Sequence, residues 1–322
     1  MLESAETMNT TELAVQEKVE ALRGAIGKIV KGKDETIELA VVALIAEGHL
    51  LIEDVPGVGK TTLGHALARA LDCRFHRIQF TSDLLPSDVL GVSVFNPKQN
   101  EFEFKPGPIF ANIVLADEIN RTTPKTQSAL LEAMNENQVT IENITYPLPR
   151  PFMVLATQNP VEHHGTYPLP ESQLDRFMMK IEVGYPSTEA EKEILKRFTN
   201  GNRSQTIEPV LTPQDVLYLQ DESRKVHINN KIVDYMIQIV NKTRNHPDIE
   251  LGISPRGTVA LFRACQALGL VAGRKFVLPD DIKRAAFPVF GHRLALAKRG
   301  TKGSRSKVEV VEGILNEIPV PD

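Results

Sequence analysis

Tryptophan is absent, cysteine occurs twice, and aromatic residues make up only 6% of the chain. So few rings leave little to stack against unpaired bases, which argues against a single-strand nucleic-acid binder. Cys73 and Cys265 stand far apart and in no C-x-x-C pair, so neither a disulfide framework nor a zinc site is indicated, and a reducing compartment is expected. Strong charge bias is missing too. A formal net charge of −4 and a pI near 6.1 give no global attraction to nucleic acid or to an anionic membrane. No stretch approaches the 18 consecutive apolar residues of a spanning helix, and the N-terminus (MLESAETMNTTELAVQEKVEAL) lacks the basic-then-apolar layout of a secretion signal. A cytoplasmic chain with no membrane insertion and no nucleic-acid partner is the expectation.

What the sequence does have is ordinary globular composition, with 42% hydrophobic and 24% charged residues over 322 positions. That length predicts two domains, or one domain with a lid. Residues 292–307 (HRLALAKRGTKGSRSK) hold six Arg or Lys and no carboxylate, a pattern read as a solvated basic loop with the capacity to touch a polyanion.

Val15, Val19, Leu22, Ile26 and Ile29 fall at helical spacing over residues 11–31, and Thr36–Glu47 predicts a second, more buried helix. Five short apolar strands are then expected: HLLIED, Phe75–Phe80, Ile113–Asp117, Phe152–Thr157 and Phe177–Val183. Their alternation with helices predicts a parallel sheet covered on both faces. Residues 91–108 and 138–148 each show two period-two runs about a polar turn and predict β-hairpins added to the sheet. From Tyr185 onward the strands stop and N-cap signals open a series of helices, which places a domain boundary near 185.

The stretch DVPGVGKT at 54–61 ends like a phosphate-binding loop, G-x-x-x-x-G-K-[ST], except that Asp54 stands in place of the first glycine. Phosphates in such loops are held by backbone N–H groups, and Gly57, Gly59, Lys60 and Thr61 supply those parts. On that argument Asp54→Gly is expected to be nearly neutral. IVLADE at 113–118 is an apolar strand ending in two carboxylates, where Asp117 with Thr61 would organise Mg²⁺ and Glu118 would activate a water. FMVLATQNP places Asn159 at the carboxyl edge of another strand, where ligands of such sheets sit. LPESQLDRF and GISPRG supply Arg176 and Arg256, whose bland readings are a surface ion pair with Asp175 or Glu171 and a solvated first-turn arginine. His163 and His164 have no third ligand nearby and are taken as loop residues. Glu132 and Glu136 are read as a solvated helix face.

Taken together and in order, DVPGVGKTT, IVLADEINR, LATQNP, LPESQLDRF and GISPRG resemble the MoxR group of AAA+ ATPases over about residues 12–320. The resemblance implies a P-loop α/β domain with a five-stranded parallel sheet and hairpin inserts (1–184), followed by an all-α lid (185–322). It implies ATP and Mg²⁺ as cofactors, with the nucleotide bound by Pro56, Gly57, Val58, Gly59, Lys60, Thr61, Thr62 and Arg256, the metal held through Thr61 and Asp117, and catalysis by Glu118, Asn159 and Arg176. Within that family Asn159 would be sensor 1, Arg176 an arginine finger reaching the neighbouring subunit, and Arg256 sensor 2. A homo-oligomer in the form of a hexameric ring is implied, as is chaperone-like work on client complexes with a partner bearing a von Willebrand factor A domain. Magnesium-chelatase ATPase subunits and nucleic-acid motors share the architecture and are the rival readings.

Overall fold

The computed structural model describes residues 2–55, 57–159, 165–199, 207–297 and 305–321, and for 2–13, 193, 194 and 196–199 it describes the backbone alone. Helices α1 (Leu2–Gly27) and α2 (Asp34–Ile45) precede strand β1 (Leu50–Glu53), α3 (Lys60–Ala70) and β2 (Phe75–Gln79). A short α4 (Pro86–Leu90) leads into the hairpin of β3 (Gly91–Asn96) and β4 (Glu101–Pro106), followed by β5 (Ile113–Asp117) and α5 (Pro124–Glu136). A second hairpin, β6 (Gln138–Ile141) and β7 (Ile144–Pro147), precedes β8 (Met153–Gln158), α6 (Glu171–Leu174) and β9 (Met179–Ile181). The remainder is α7 (Thr188–Thr199), α8 (Pro213–Arg224), α9 (Asn230–Arg244), β10 (Ile249–Leu251), α10 (Pro255–Val271), α11 (Pro279–Phe290), β11 (Ala295–Leu296) and α12 (Lys307–Glu317).

Five strands form one parallel sheet in the order β2-β5-β8-β1-β9. Alternate residues of each strand serve opposite faces, because successive side chains of a strand point to opposite sides. Leu50, Ile52, Ile113, Leu115, Met153 and Leu155 face one cluster, and Leu51, Val114, Ala116, Val154 and Ala156 the other. The first cluster also takes in Val15, Val19, Leu22 and Ile26 of α1, most of α2, and the buried faces of α8 to α12. Helices α8 to α12 therefore share a continuous core with the N-terminal helices and one face of the sheet. The second cluster lies under α4, α5 and the hairpins, which are joined by Phe104 stacked on Tyr146 at 4.0 Å.

Two expectations need correcting. Strands do not stop at 185: β10 and β11 form an antiparallel ladder, and His227 bridges Phe276. These segments are too short to show a period. The basic run at 292–307 is not one solvated loop, since Arg293 is only 4% exposed and Lys307 opens α12 with its Nζ on Gly291 O at 2.9 Å; residues 298–304 lie outside the described part. α12 was legible only through its capping box, Ser306 with Glu309.

One buried imidazole knits the sheet to α5. His49 Nδ1 accepts the Val154 N–H at 3.0 Å, so its Nε2 carries the proton and donates to Met134 O at 3.0 Å. Among the described residues, no helix is long and apolar enough to cross a membrane.

Candidate nucleotide site

At the carboxyl end of β1 the chain turns through Gly57 (φ 86°) and Gly59 (φ 102°) before α3 begins at Lys60. Both angles lie in the left-handed region, where a side chain would be strained, so the two glycines are what lets the loop curl back over the helix start. The first intrahelical bond is Leu63 N–H to Gly59 O at 3.0 Å, which leaves the preceding amides free to point outward. Gly57, Thr61 and Thr62 are exposed, while Val58 packs against the core and anchors the loop. Lys60 is only 9% exposed and its Nζ donates to Asp54 O at 2.9 Å. Pro56 lies outside the described residues. A left-handed turn, free amides, a buried lysine and a helix N-terminus together make a cradle for a polyphosphate.

Asp54 does more than its place in the motif suggests. Its Oδ1 accepts the Val55 N–H at 2.8 Å, and its Oδ2 accepts the N–H groups of Val183 (2.8 Å) and Gly184 (2.5 Å) just after β9. The same turn is held from the other side by Lys33 Nζ on Tyr185 O at 2.6 Å. The aspartate thus staples the glycine loop to the segment that leads from the sheet to the later helices.

Two strands away, β5 delivers Asp117 and Glu118 to the same edge. Asp117 is buried, with Oδ1 accepting the Thr157 hydroxyl at 2.6 Å and Oδ2 accepting Arg77 Nε (3.0 Å) and Nη2 (2.5 Å). A carboxylate offers about four lone-pair sites, so one on Oδ1 remains for a water of a metal's hydration shell. Hard oxygen donors, this carboxylate and the exposed Thr61 hydroxyl, suit Mg²⁺ bound together with phosphates. Glu118 sits at φ 57°, strained for a residue with a Cβ, and its N–H is held by Thr157 Oγ1 at 2.8 Å. Its carboxylate accepts Gln79 Nε2 at 2.9 Å and pairs with Arg121 at 3.1 Å. Asn159, 5% exposed, directly follows β8, the strand that lies between β5 and β1.

The two motif arginines stand apart from that edge. Arg176 and Arg256 line one cavity of ≈ 340 Å³ with Ser128, Glu132, Glu136 and Gln173, and none of the described residues of the 54–62 loop contributes to it. Arg176 Nη1 donates to Leu131 O at 2.9 Å, while its Nε is buried with no hydrogen-bond partner among the described residues. The bland reading of Arg176 as the ion-pair partner of Asp175 does not hold, because Asp175 is taken by Arg293 at 2.8 Å and by Ser254. Glu132 and Glu136 are exposed as expected, but they also wall this cavity. His163 and His164 lie outside the described residues.

Sequence reasoning passed over Arg77, Gln79, Thr157, Ser254 and Arg293. A faint signal existed for three of them. Thr157 is a polar residue inside an otherwise apolar strand, and Arg77 and Gln79 alternate along FHRIQ beside the acidic strand.

Residues 49–179 match the ATPase family associated with various cellular activities (AAA), and residues 241–314 match the AAA lid domain. The chain is 49% identical to the uncharacterized protein YeaC of Bacillus subtilis, across 96% of this chain and 98% of that one. It is 40% identical to the chaperone MoxR1 of Mycobacterium tuberculosis, across 92% of this chain and 80% of that one. A crystal structure of a "putative ATPase" from Cytophaga hutchinsonii superposes with a TM-score of 0.92 at 40% identity, covering 99% of each chain.

Proposed function

The chain belongs to the MoxR group of AAA ATPases, and from that premise we propose that it hydrolyses Mg²⁺-ATP between adjacent subunits of a ring, most simply a hexamer, to assemble or activate client proteins. Nucleotide binding and ATPase activity come with the family. The inter-subunit arrangement rests on one observation: Arg176 and Arg256 share a cavity to which the described residues of the chain's own glycine loop contribute nothing. Two guanidinium groups in a half-buried cavity, one with an unmet N–H, suit an anion brought by another molecule.

Lys60 and the amides of Gly57 to Thr62 would cradle the phosphates. Thr61 and Asp117 would hold Mg²⁺, which neutralises phosphate charge when bound with ATP. Glu118, set at the strand edge by Thr157 and Gln79, would accept a proton from the attacking water, and Asn159 would orient that water or the terminal phosphate. Arg176 and Arg256 of the adjacent subunit would stabilise the charge that develops, a contribution of roughly 10³ to 10⁵ in rate in other phosphoryl-transfer systems.

Client work is supported by the chaperone designation of the 40% identical relative. It is supported as well by the first hairpin, which exposes Phe95 (46%) and Phe102 (69%) edge to face at 5.4 Å. A protein bearing a von Willebrand factor A domain is the partner class we propose, to be tested by co-purification with and without ATP.

Mixed subunits test the enzymatic reading. Lys60→Ala should abolish ATP binding, Glu118→Gln should bind and not turn over, and Arg176→Ala should bind normally and hydrolyse slowly. Combining Lys60→Ala with Arg176→Ala creates interfaces where an intact loop meets an intact arginine, so activity should partly return. No recovery at any mixing ratio, with assembly confirmed by light scattering, means that Arg176 does not act on a neighbour.

A further inference from the structure

Arg176 and Arg256 come from segments 80 residues apart in the chain, yet one carboxylate joins them. Asp175, directly before Arg176, accepts the Ser254 hydroxyl on both oxygens at 2.9 Å and Arg293 Nε on Oδ1 at 2.8 Å. Ser254 is also the N-cap of α10, its Oγ accepting the Gly257 N–H at 3.0 Å, and Arg256 lies two residues further on. The guanidinium of Arg293 continues the clamp along the backbone, with Nη2 on Asp175 O (3.1 Å) and Phe177 O (2.6 Å), and Nη1 on Met178 O (3.0 Å) and Val289 O (2.5 Å). Gly257 is what makes room for it, since a Cβ there would stand 2.9 Å from Arg293 Cδ.

We infer that Asp175 is a positioning residue for the inter-subunit reaction: it fixes Arg176 relative to Arg256 by binding the start of α10 and the buried Arg293 together. The inference rests on the reading that these two arginines serve a neighbour's nucleotide. Its physical basis is the distance dependence of charge stabilisation. Two arginines act on one phosphate group only if their separation is held, and the Asp175–Ser254 bond is a direct side-chain tie between the segments that carry them. The ties are themselves charge-assisted hydrogen bonds in a mostly buried setting, stronger than neutral ones.

The test uses Ser254→Ala and Asp175→Asn in the full-length chain. Ser254→Ala removes the hydroxyl between Asp175 and α10 and should lower kcat about tenfold, the scale of one hydrogen bond to a charged group. Asp175→Asn should lower it further. ATP affinity should stay within about twofold, because the glycine loop is untouched. The decisive readout is complementation. Each variant, mixed with Lys60→Ala subunits, should regain activity as Arg176→Ala does, whereas neither should regain it with Arg176→Ala, because both lesions then lie on the same side of the interface. Should Asp175→Asn fail to fold, Ser254→Ala decides alone. Wild-type kcat in folded, assembled Ser254→Ala overturns the inference. So does a slow Ser254→Ala that Lys60→Ala cannot rescue while Arg176→Ala is rescued. If Arg176→Ala itself is not rescued, the parent reading fails and this inference fails with it, a result distinct from the other two.

Discussion

Asp54 and Gly184 lie 130 residues apart in sequence, and the Gly184 N–H meets the Asp54 carboxylate at 2.5 Å. That contact, with its neighbour from Val183, ties the glycine loop to the exit of the last sheet strand. Events at the phosphates and the placement of the later helices therefore share a hydrogen-bonded junction.

The first prediction reverses the expectation drawn from the loop motif alone. Asp54→Gly removes the acceptor of three backbone N–H groups and frees a loop that already contains two left-handed glycines. We expect a loss of about 2–3 kcal/mol of stability and a clear fall in ATP affinity. Asp54→Asn keeps one acceptor oxygen and should fall between. Urea unfolding and nucleotide titration on the three proteins check this, and a wild-type midpoint for Asp54→Gly would show the staple to be idle.

Thr157 carries the second. Its hydroxyl donates to Asp117 and accepts from the Glu118 N–H, so one side chain orients both carboxyl-bearing residues. Thr157→Val conserves shape and deletes both bonds. Turnover should drop roughly 10–100-fold, as for lost support of a metal-binding carboxylate, with ATP affinity changed far less. Steady-state kinetics and equilibrium binding separate the two effects. An unchanged kcat would mean that backbone geometry alone holds Glu118.

The third concerns the rival nucleic-acid motor. With a net charge of −4 and 6% aromatic residues, neither single- nor double-stranded DNA should change ATPase activity at physiological ionic strength. Salt-sensitive stimulation by DNA would restore that rival.

Much of the sheet was legible in the sequence, since the central strands β1, β5 and β8 are nearly unbroken apolar runs that end in polar groups marking its carboxyl edge, whereas the outer runs FHRIQF and FMMKIEV carry polar residues along their length. The loop glycines and Lys60 were legible for the same local reason. What stayed hidden was every relationship that packing alone creates. Asp175 meets Arg293 across 118 residues, and nothing in FGHRLAL distinguishes a buried arginine from a solvated one. Likewise GISPRG shows an N-cap and an arginine, but not that its Ser254 hydroxyl is shared with Asp175 or that Gly257 clears a path for another side chain.

The last prediction follows from His49, which burial holds at a pKa of about 4 against an ordinary 6.5. Its Nδ1 is occupied as an acceptor by Val154 N–H, so a second proton cannot be added without breaking that bond. The unfolded chain has no such restriction. Between pH 6.5 and 4 the unfolded state therefore binds a proton that the native state refuses, and stability must fall as pH falls through that window, at up to about 1.4 kcal/mol per pH unit. Above pH 6.5 this contribution is fully present; by pH 4 about 3 kcal/mol has gone. His292 acts in the same direction, because burial and the adjacent Arg293 cation both oppose its protonation. The bond that acid breaks is the one from Val154 N–H to Nδ1, while the Nε2–H bond to Met134 O is kept, so the acid-sensitive contact is the one between the start of β1 and β8. Urea unfolding at pH 7.5, 6.5, 5.5 and 4.5, repeated on His49→Gln, measures the slope. We expect a decline below pH 6.5 that is shallower in the variant. Equal slopes in the two proteins would assign the acid sensitivity to other groups.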